Sequence, residues 1–570
     1  MATTAQRPPA DAPWVVQKYG GTSVGKFLTT IVDSITPSYL QTNRVVIVCS
    51  ARSGQTKALG TTNLLLQASQ EAMSSTCAPL KTPSSSSTPM SSSFNGGSLS
   101  SSQLSSQLAR LEGAPSFHAT VDKIQQDHLE AAQVAVPHRS ELRTQLENEI
   151  IAECDGLREF LQAARILHEV SPRSRDVIMG LGERLACRLV RAALQDRGIA
   201  SDLVTLESIV DEIDEDIVRP PSSTWESTNY LEQPFYDRLA VVLAEKIRAC
   251  SGVPVVTGYF GNVPGSLLSQ VGRGYTDLCA ALCAVGLKAS ELQIWKEVDG
   301  VFTADPRKVP TARLVPAITP EEAAELTYYG SEVIHPFTME QAIKKSVPIR
   351  IKNVENPTGT GTVIFPDHTS VTVDDDIRHD PFVDGHVEQP SPPSGSGIIE
   401  RCKAPTAVTI KDNILVLNVH SNRKTISHGF FARIFGTLNR YGVVVDLIST
   451  SEVHVSMAMT AELKPRTLER LTAELEHIGT VSVLRNMVIL SLVGKEMRHM
   501  VGVAGRMFST LAEGNVNIEM ISQGANEINI SCVIHEGAAL KALNLIHYSI
   551  LELSPKPNNM EGGSFGRSFF

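Results

Sequence analysis

The stretch Val15-Val16-Gln17-Lys18-Tyr19-Gly20-Gly21-Thr22-Ser23-Val24-Gly25 constrains this chain more than any other. A short apolar run that breaks into paired glycines and hydroxyls is how a strand delivers its backbone to a phosphate. Glycines admit main-chain N–H groups close to an anion, and the N-terminus of a following helix carries partial positive charge. Thr22 and Ser23 are expected to cap that helix, and Lys18 adds a full charge at the strand's end. The stretch also imitates a P-loop, because Gly20, Gly25 and Lys26 have that spacing. A P-loop ends in Ser or Thr to hold magnesium, and here that position is Phe27, so the spacing alone does not make one.

With 570 residues the chain is long enough for three or four domains. Its net charge of −10 argues against nucleic acid as a partner, since phosphate backbones need a basic surface. No run of 18 apolar residues exists, and residues 1–13 lack the apolar core of a signal peptide. A cytoplasmic protein is expected. Nine cysteines without a CxxC pair fit reduced thiols rather than a disulfide framework or a zinc site. Cys279 and Cys283, one helical turn apart, are expected to be small packing residues of a helix.

Along the chain, Val45-Val46-Ile47-Val48 reads as a second buried strand that ends in the hydroxyl-rich Ser50-Ala51-Arg52-Ser53-Gly54-Gln55-Thr56. Residues 74–115 are Ser-rich and cannot bury enough apolar surface to offset chain entropy, so a disordered insertion is expected there. Residues 117–197 read as helical and contain an acid directly after two glycines, Gly180-Leu181-Gly182-Glu183. Strands are expected at residues 202–206 and 253–260. Gly272-Arg273-Gly274-Tyr275-Thr276-Asp277 then enters a helix: Arg273 offers a planar fork for a carboxylate, and Thr276 or Asp277 is expected to cap. A further buried strand around Ile294 leads through Asp299-Gly300 to a turn closed by Pro306.

Residues 367–400, rich in acid, His, Pro and Ser, read as a linker. An internal repeat follows. Arg433-Ile434-Phe435-Gly436-Thr437-Leu438, then Gly442 and Ile448-Ser449, is echoed by Arg506-Met507-Phe508-Ser509-Thr510-Leu511, then Gly514 and Ile521-Ser522. Each copy places a strand before an amphipathic helix and an alternating strand after it.

Taken together and in this order, these segments resemble the aspartate kinases of the amino-acid kinase family, with fungal forms nearest. Lys18 through Ser23, Ser50 through Thr56, Gly182-Glu183, Gly272 through Asp277, Lys296 through Arg307 and Tyr329-Gly330-Ser331-Glu332-Val333-Ile334-His335-Pro336 carry the resemblance, and the repeat is similar to a pair of ACT domains. The implied fold is α/β: an amino-acid kinase open αβα sandwich over residues 14–366, including the insertion, followed by the linker. Two βαββαβ ACT domains at 401–480 and 481–553 and a loose tail at 554–570 complete it. The implied activity is phosphorylation of the β-carboxylate of L-aspartate by ATP with Mg2+, on the route to threonine and methionine. L-threonine is the implied inhibitor, although the motif alone fits lysine too. A homodimer or homotetramer through ACT and kinase domains is expected, because ACT sheet edges are left unpaired.

The resemblance also assigns roles. Lys18 and Asp277 are the catalytic pair, Asp277 holding the lysine, and Gly20, Gly21, Thr22 and Ser23 bind phosphate. Ser50, Thr56, Glu183, Phe260, Arg273 and Thr276 face aspartate, with Arg273 on its α-carboxylate and Glu183 on its ammonium. Lys296, Glu297, Phe302 and Arg307 face ATP. Ser427, Gly429, Phe430, Val445, Asp446 and Glu452 face the effector. Glu332 stands where some bacterial relatives carry a phosphate-side lysine, so it is left out of the site, and no protein ligand to magnesium is assigned. Another amino-acid kinase and a catalytically silent ACT sensor are the alternatives. Intact Lys18, Glu183, Arg273 and Asp277 speak against the second.

Overall fold

The computed structural model describes residues 11–54, 60–74, 117–213, 217, 231–261, 263, 266–331, 333–365, 404–421, 429–524 and 528–552. Nearly all of the Ser-rich insertion, the linker from 367, the tail, and Thr56, Glu332 and Ser427 lie outside the described residues, as does the side chain of Arg273. The chain divides into two compact units at Glu297/Val298. Among the described residues no helix is long and apolar enough to cross a membrane.

The first unit alternates strands and helices: β1 (Trp14–Tyr19), α1 (Gly21–Lys26), β2 (Arg44–Cys49), α2 (Thr61–Met73), α3 (Phe117–Ala135), α4 (Ser140–Leu167), α5 (Pro172–Asp196), β3 (Ser201–Val204), α6 (Gln233–Arg248), β4 (Val253–Thr257), α7 (Tyr275–Leu287) and β5 (Glu291–Lys296). The strands pair in the order β3-β4-β2-β1-β5, all parallel. Continuous apolar runs explain this, because a parallel strand is covered on both faces, and Val45, Val46, Ile47 and Val48 are all buried. Register then fixes the location of chemistry. Tyr19 lies beside Cys49 on one side and Trp295 on the other, so Gly20, Ser50 and Lys296 leave the sheet together at its carboxyl edge. Open parallel sheets bind ligands at that edge.

The expected helical region 117–197 is three helices. The strand expected at 253–260 ends at Thr257, because the amide of Tyr259 leaves the ladder for the carboxylate of Glu183. Likewise the strand expected at 202–206 ends at Val204, and the Leu206 amide turns to the Thr257 hydroxyl. Cys279 and Cys283 are buried free thiols within α7, packed as small residues.

The second unit opens with β6 (Ala317–Ile318), α8 (Pro320–Tyr328), α9 (Pro336–Lys344), β7 (Ile349–Asn353) and β8 (Thr362–Ile364). It continues with β9 (Ala407–Ser421), α10 (Phe430–Arg440), β10 (Leu447–Thr450), β11 (His454–Thr460), α11 (Pro465–Glu476), β12 (Gly479–Val493), α12 (Val503–Glu513), β13 (Met520–Ser522), β14 (Asn529–His535) and α13 (Ala539–Ile546). The later strands form one antiparallel six-stranded sheet, β10-β11-β9-β12-β14-β13. The second compact unit spans the boundary expected at 366. Glu322, whose other oxygen closes the capping box of α8, accepts from the Thr406 hydroxyl at 2.6 Å and the Lys495 amide at 2.9 Å.

The cut expected at 480/481 falls inside β12. Both β9 and β12 run 15 residues and cross from one module to the other. Val408 and Ile410 pack with Leu490, Met507, Leu511 and Ile530, whereas Leu415, Leu417 and Val419 pack with Phe430, Ile434, Val455 and Leu471. Asn413 and Asn486 both take a φ of 58° where the strands pass between modules, and the β9–β12 register shifts there. Asn tolerates this left-handed conformation better than most residues.

Candidate active site

Lys18 is the penultimate residue of β1, and its Nζ lies 2.6 Å from Oδ1 of Asp277, with side chains only 12% and 19% exposed. Asp277 stands in the first turn of α7, yet neither it nor Thr276 caps that helix as expected: the N-cap is Gly274, without a side-chain bond. The Thr276 hydroxyl instead donates to Oε1 of Glu183 at 2.6 Å. The same substitution of partners occurs at α1. Its N-cap is Gly20, again without a side-chain bond, and the Ser23 hydroxyl donates to Oε1 of Glu297 at 2.8 Å. In each case an ionisable carboxylate lies in reach and makes the stronger, charge-assisted bond.

Glu183 is 1% exposed on α5, and its Oε2 accepts from the Tyr259 amide at 2.5 Å. Burial pushes its carboxyl up to about 7, against the pull of Thr276, the Tyr259 amide, Tyr275 and Lys18. Two glycines permit this density. A Cβ on Gly25 would stand 1.9 Å from the Ser53 carbonyl oxygen, and one on Gly258 would stand 2.5 Å from Cγ2 of Thr276. Phe260 is fully buried one residue beyond Tyr259. Ser50 donates its amide to the Tyr19 carbonyl at 3.1 Å, and Ser53 donates its amide to Gly21 at 2.9 Å, tying the two loops at the sheet edge together.

Within the first unit the structure thus brings together two bonded pairs, Lys18–Asp277 and Thr276–Glu183, with the Lys18 charge felt at Glu183, and Gly20, Gly21, Ser23, Ser50 and Glu297 at the same sheet edge. Thr22 lies in α1, Lys296 ends β5, and Arg273 lies in the Gly272–Gly274 turn before α7. Lys26 is exposed. Phe302 and Arg307 belong to the second unit, where Phe302 bridges to Leu314 and Arg307 forks onto Asp305 with both bonds at 3.0 Å. Among the residues expected to face an effector, Gly429 takes a φ of +80° at the N-cap of α10, Phe430 is buried, Val445 is half-buried and Glu452 is exposed. Asp446 is already engaged, 2.6 Å from the Nζ of Lys411.

Sequence reasoning missed Lys411, and it missed Tyr259, Tyr275 and Asp176 around Glu183. Asp176 had a legible signal: it precedes Glu183 by two helical turns on the same face of α5. Its carboxylate accepts from the Ser266 hydroxyl at 2.9 Å and the Leu267 amide at 2.6 Å. Among the described residues no group of three or more His, Cys, Asp or Glu side chains is arranged to hold a metal.

Residues 13–353 match the model of the amino acid kinase family, and residues 490–550 match an ACT domain model. The chain is 50% identical over 540 residues to the aspartokinase of Schizosaccharomyces pombe, covering 95% of this chain and 93% of that one. The chain belongs to the aspartokinases of the amino acid kinase family. It is also 45% identical over 558 residues to the aspartokinase of Candida albicans, with 95% and 91% of the two chains covered. Among solved structures, E. coli aspartokinase III in complex with aspartate and ADP shares the fold at a TM-score of 0.62 and 23% identity, covering 94% of this chain and 99% of that one.

For this aspartokinase the raised Glu183 has a consequence for stability. Its carboxyl titrates at about 7 when folded against 4.5 for the free group, so its contribution is complete below about pH 4.5 and is lost as pH rises through 7. The loss amounts to about 3 kcal/mol. Denaturant unfolding of the ligand-free protein is expected to show stability falling between pH 5 and 8, and Glu183→Gln is expected to flatten that slope. Equal slopes in the two proteins would contradict the assignment.

Proposed function

We propose that the enzyme transfers the γ-phosphoryl group of MgATP to the β-carboxylate of L-aspartate, giving 4-phospho-L-aspartate. The observation that carries this reading is the Lys18–Asp277 pair set beside the buried Glu183. A substrate carboxylate with a pKa near ~4 is already ionised at neutral pH, so no general base is needed. The work is to bring two anions together in line and to stabilise the moving charge. Lys18 does so at the transferring group, held in place by Asp277, and the Gly20–Ser23 segment lies at the same edge for the phosphates. Arg273 pairs the α-carboxylate, and Glu183 takes the ammonium group, whose arrival keeps its carboxylate ionised. Ser50, Thr56, Phe260 and Thr276 complete the amino-acid side, and Lys296, Glu297, Phe302 and Arg307 serve the nucleotide. Magnesium fits this chemistry as an ion carried on phosphate and water, with at most one or two carboxylates.

We further propose that residues 14–366 are the catalytic segment and that the ACT modules take L-threonine as feedback inhibitor, in the cytoplasm, on the threonine and methionine branch of biosynthesis. Ser427, Gly429, Phe430, Val445, Asp446 and Glu452 form the effector site, and Lys411 is the cation that the effector ammonium replaces at Asp446. Edge strands β10 and β13, with Ile448 and Ile521 exposed, support assembly into a dimer or tetramer.

Trapping the acyl phosphate with hydroxylamine tests the reaction directly. Lys18→Met is expected to lower kcat about 10²-fold or more while leaving ATP binding within a few fold, and Lys26→Met is expected to be mild. Normal turnover in Lys18→Met would refute the assignment. For regulation, an effector preference of about 1–3 kcal/mol shifts affinity about 5- to 150-fold. Asp446→Ala is expected to keep uninhibited turnover and to raise the threonine concentration for half inhibition; a variant inhibited as strongly as wild type would remove the effector assignment.

A further inference from the structure

Thr303, between Phe302 and Ala304, is held from the far end of the chain. Its Oγ1 lies 2.8 Å from Nε2 of His547, a side chain with no exposed surface that follows directly on α13. Nδ1 of His547 lies 3.1 Å from Oε1 of Glu552. In the tautomer that places the Nδ1 proton toward the carboxylate, Nε2 accepts from the threonine hydroxyl. Burial pushes the imidazole pKa down, which keeps the ring neutral and Nε2 an acceptor. The hydroxyl oxygen of Thr303 in turn accepts from the Arg313 amide at 2.9 Å. A line of partners therefore runs from Glu552 through the buried His547 and Thr303 to the Arg313 amide.

The same turn is clasped by other residues of the second unit. The Val408 amide in β9 donates to the Thr303 carbonyl at 2.8 Å, and the Arg313 guanidinium donates to the Leu551 carbonyl at 2.9 Å. Nδ2 of Asn544 in α13 donates to the Lys308 carbonyl at 3.2 Å, and Lys308 pairs with Asp412 at 3.1 Å. The segment that carries Phe302 and Arg307 thus takes its shape from the second ACT module.

We propose that His547 is a positioning residue for the nucleotide: from the ACT module it fixes Thr303, and with it the turn bearing Phe302 and Arg307. The inference rests on the reading of that turn as the nucleotide side of an aspartate-phosphorylating site. Its test compares full-length Thr303→Val, Thr303→Ser, His547→Leu and Phe302→Ala in steady-state kinetics, with direct binding of a fluorescent ATP analogue and thermal unfolding as controls. Loss of one buried hydrogen bond is expected to raise the KM for MgATP and the analogue Kd about fivefold to thirtyfold in Thr303→Val and His547→Leu, leaving the KM for aspartate within twofold. Thr303→Ser, which keeps the hydroxyl, is expected to restore wild-type values.

A purely structural role would instead lower the unfolding temperature and change both KM values alike, or lower kcat alone, and either pattern overturns the proposal. If Phe302→Ala raises the KM for MgATP while Thr303→Val does not, the positioning inference fails and the nucleotide reading stands. If Phe302→Ala leaves the KM for MgATP unchanged, the nucleotide reading fails and the inference with it. Thr303→Val, nearly equal in size, keeps the test decisive if His547→Leu does not fold.

Discussion

The ion pair of Lys18 with Asp277 joins the end of the central strand to the first turn of a helix that arrives some 260 residues later. An exposed pair of this kind contributes little, and a largely buried one costs desolvation of both charges. What it gives is direction: one ammonium fixed at the carboxyl edge of a rigid sheet. Much else in the first unit serves that placement. The parallel register sets Gly20, Ser50 and Lys296 side by side, and the glycines at 25 and 258 let α1 meet the Ser53 loop and the segment after β4 meet α7 where any side chain would collide. With Glu183 beside them, two carboxylates face one lysine. Burial holds Glu183 up to about 7 against the pull of Lys18 and its hydrogen-bond donors, so the site suits a further cation.

The second unit solves a different problem. Its two ACT modules share long strands, so neither core closes without residues from both ends of the segment. Val408 and Ile410 serve the later module, Leu415 and Leu417 the earlier one, within a single strand. The same later module reaches Thr303 through His547 and Val408. The packing of the later module and the shape of the turn bearing Phe302 and Arg307 are consequently one body of hydrogen bonds.

Much of this was legible in the sequence because the signals are local. Apolar runs marked β1 and β2, glycines marked the turn at the carboxyl edge of β1, and the repeat of Arg433–Leu438 in Arg506–Leu511 marked both modules. What was not legible depends on partners distant in sequence. Ser23 and Thr276 look like caps from their neighbours alone, but each finds a carboxylate on another element, Glu297 and Glu183. The shared strands escaped notice because a strand that crosses two cores has the same alternation as one that serves a single core. Lys411 and His547 carry no motif: only the fold shows that one meets Asp446 and the other Thr303.

The central claim is that Asp277 acts by holding Lys18 and not by accepting a proton from substrate. Comparing kcat of Asp277→Asn with that of Asp277→Ala tests it most directly. An asparagine oxygen still accepts from the lysine ammonium but takes up no proton. The account predicts that Asp277→Asn retains at least about tenfold more turnover than Asp277→Ala, the difference of about one hydrogen bond to a charged group. Equal and near-complete loss in both variants would contradict it and return Asp277 to the role of a base.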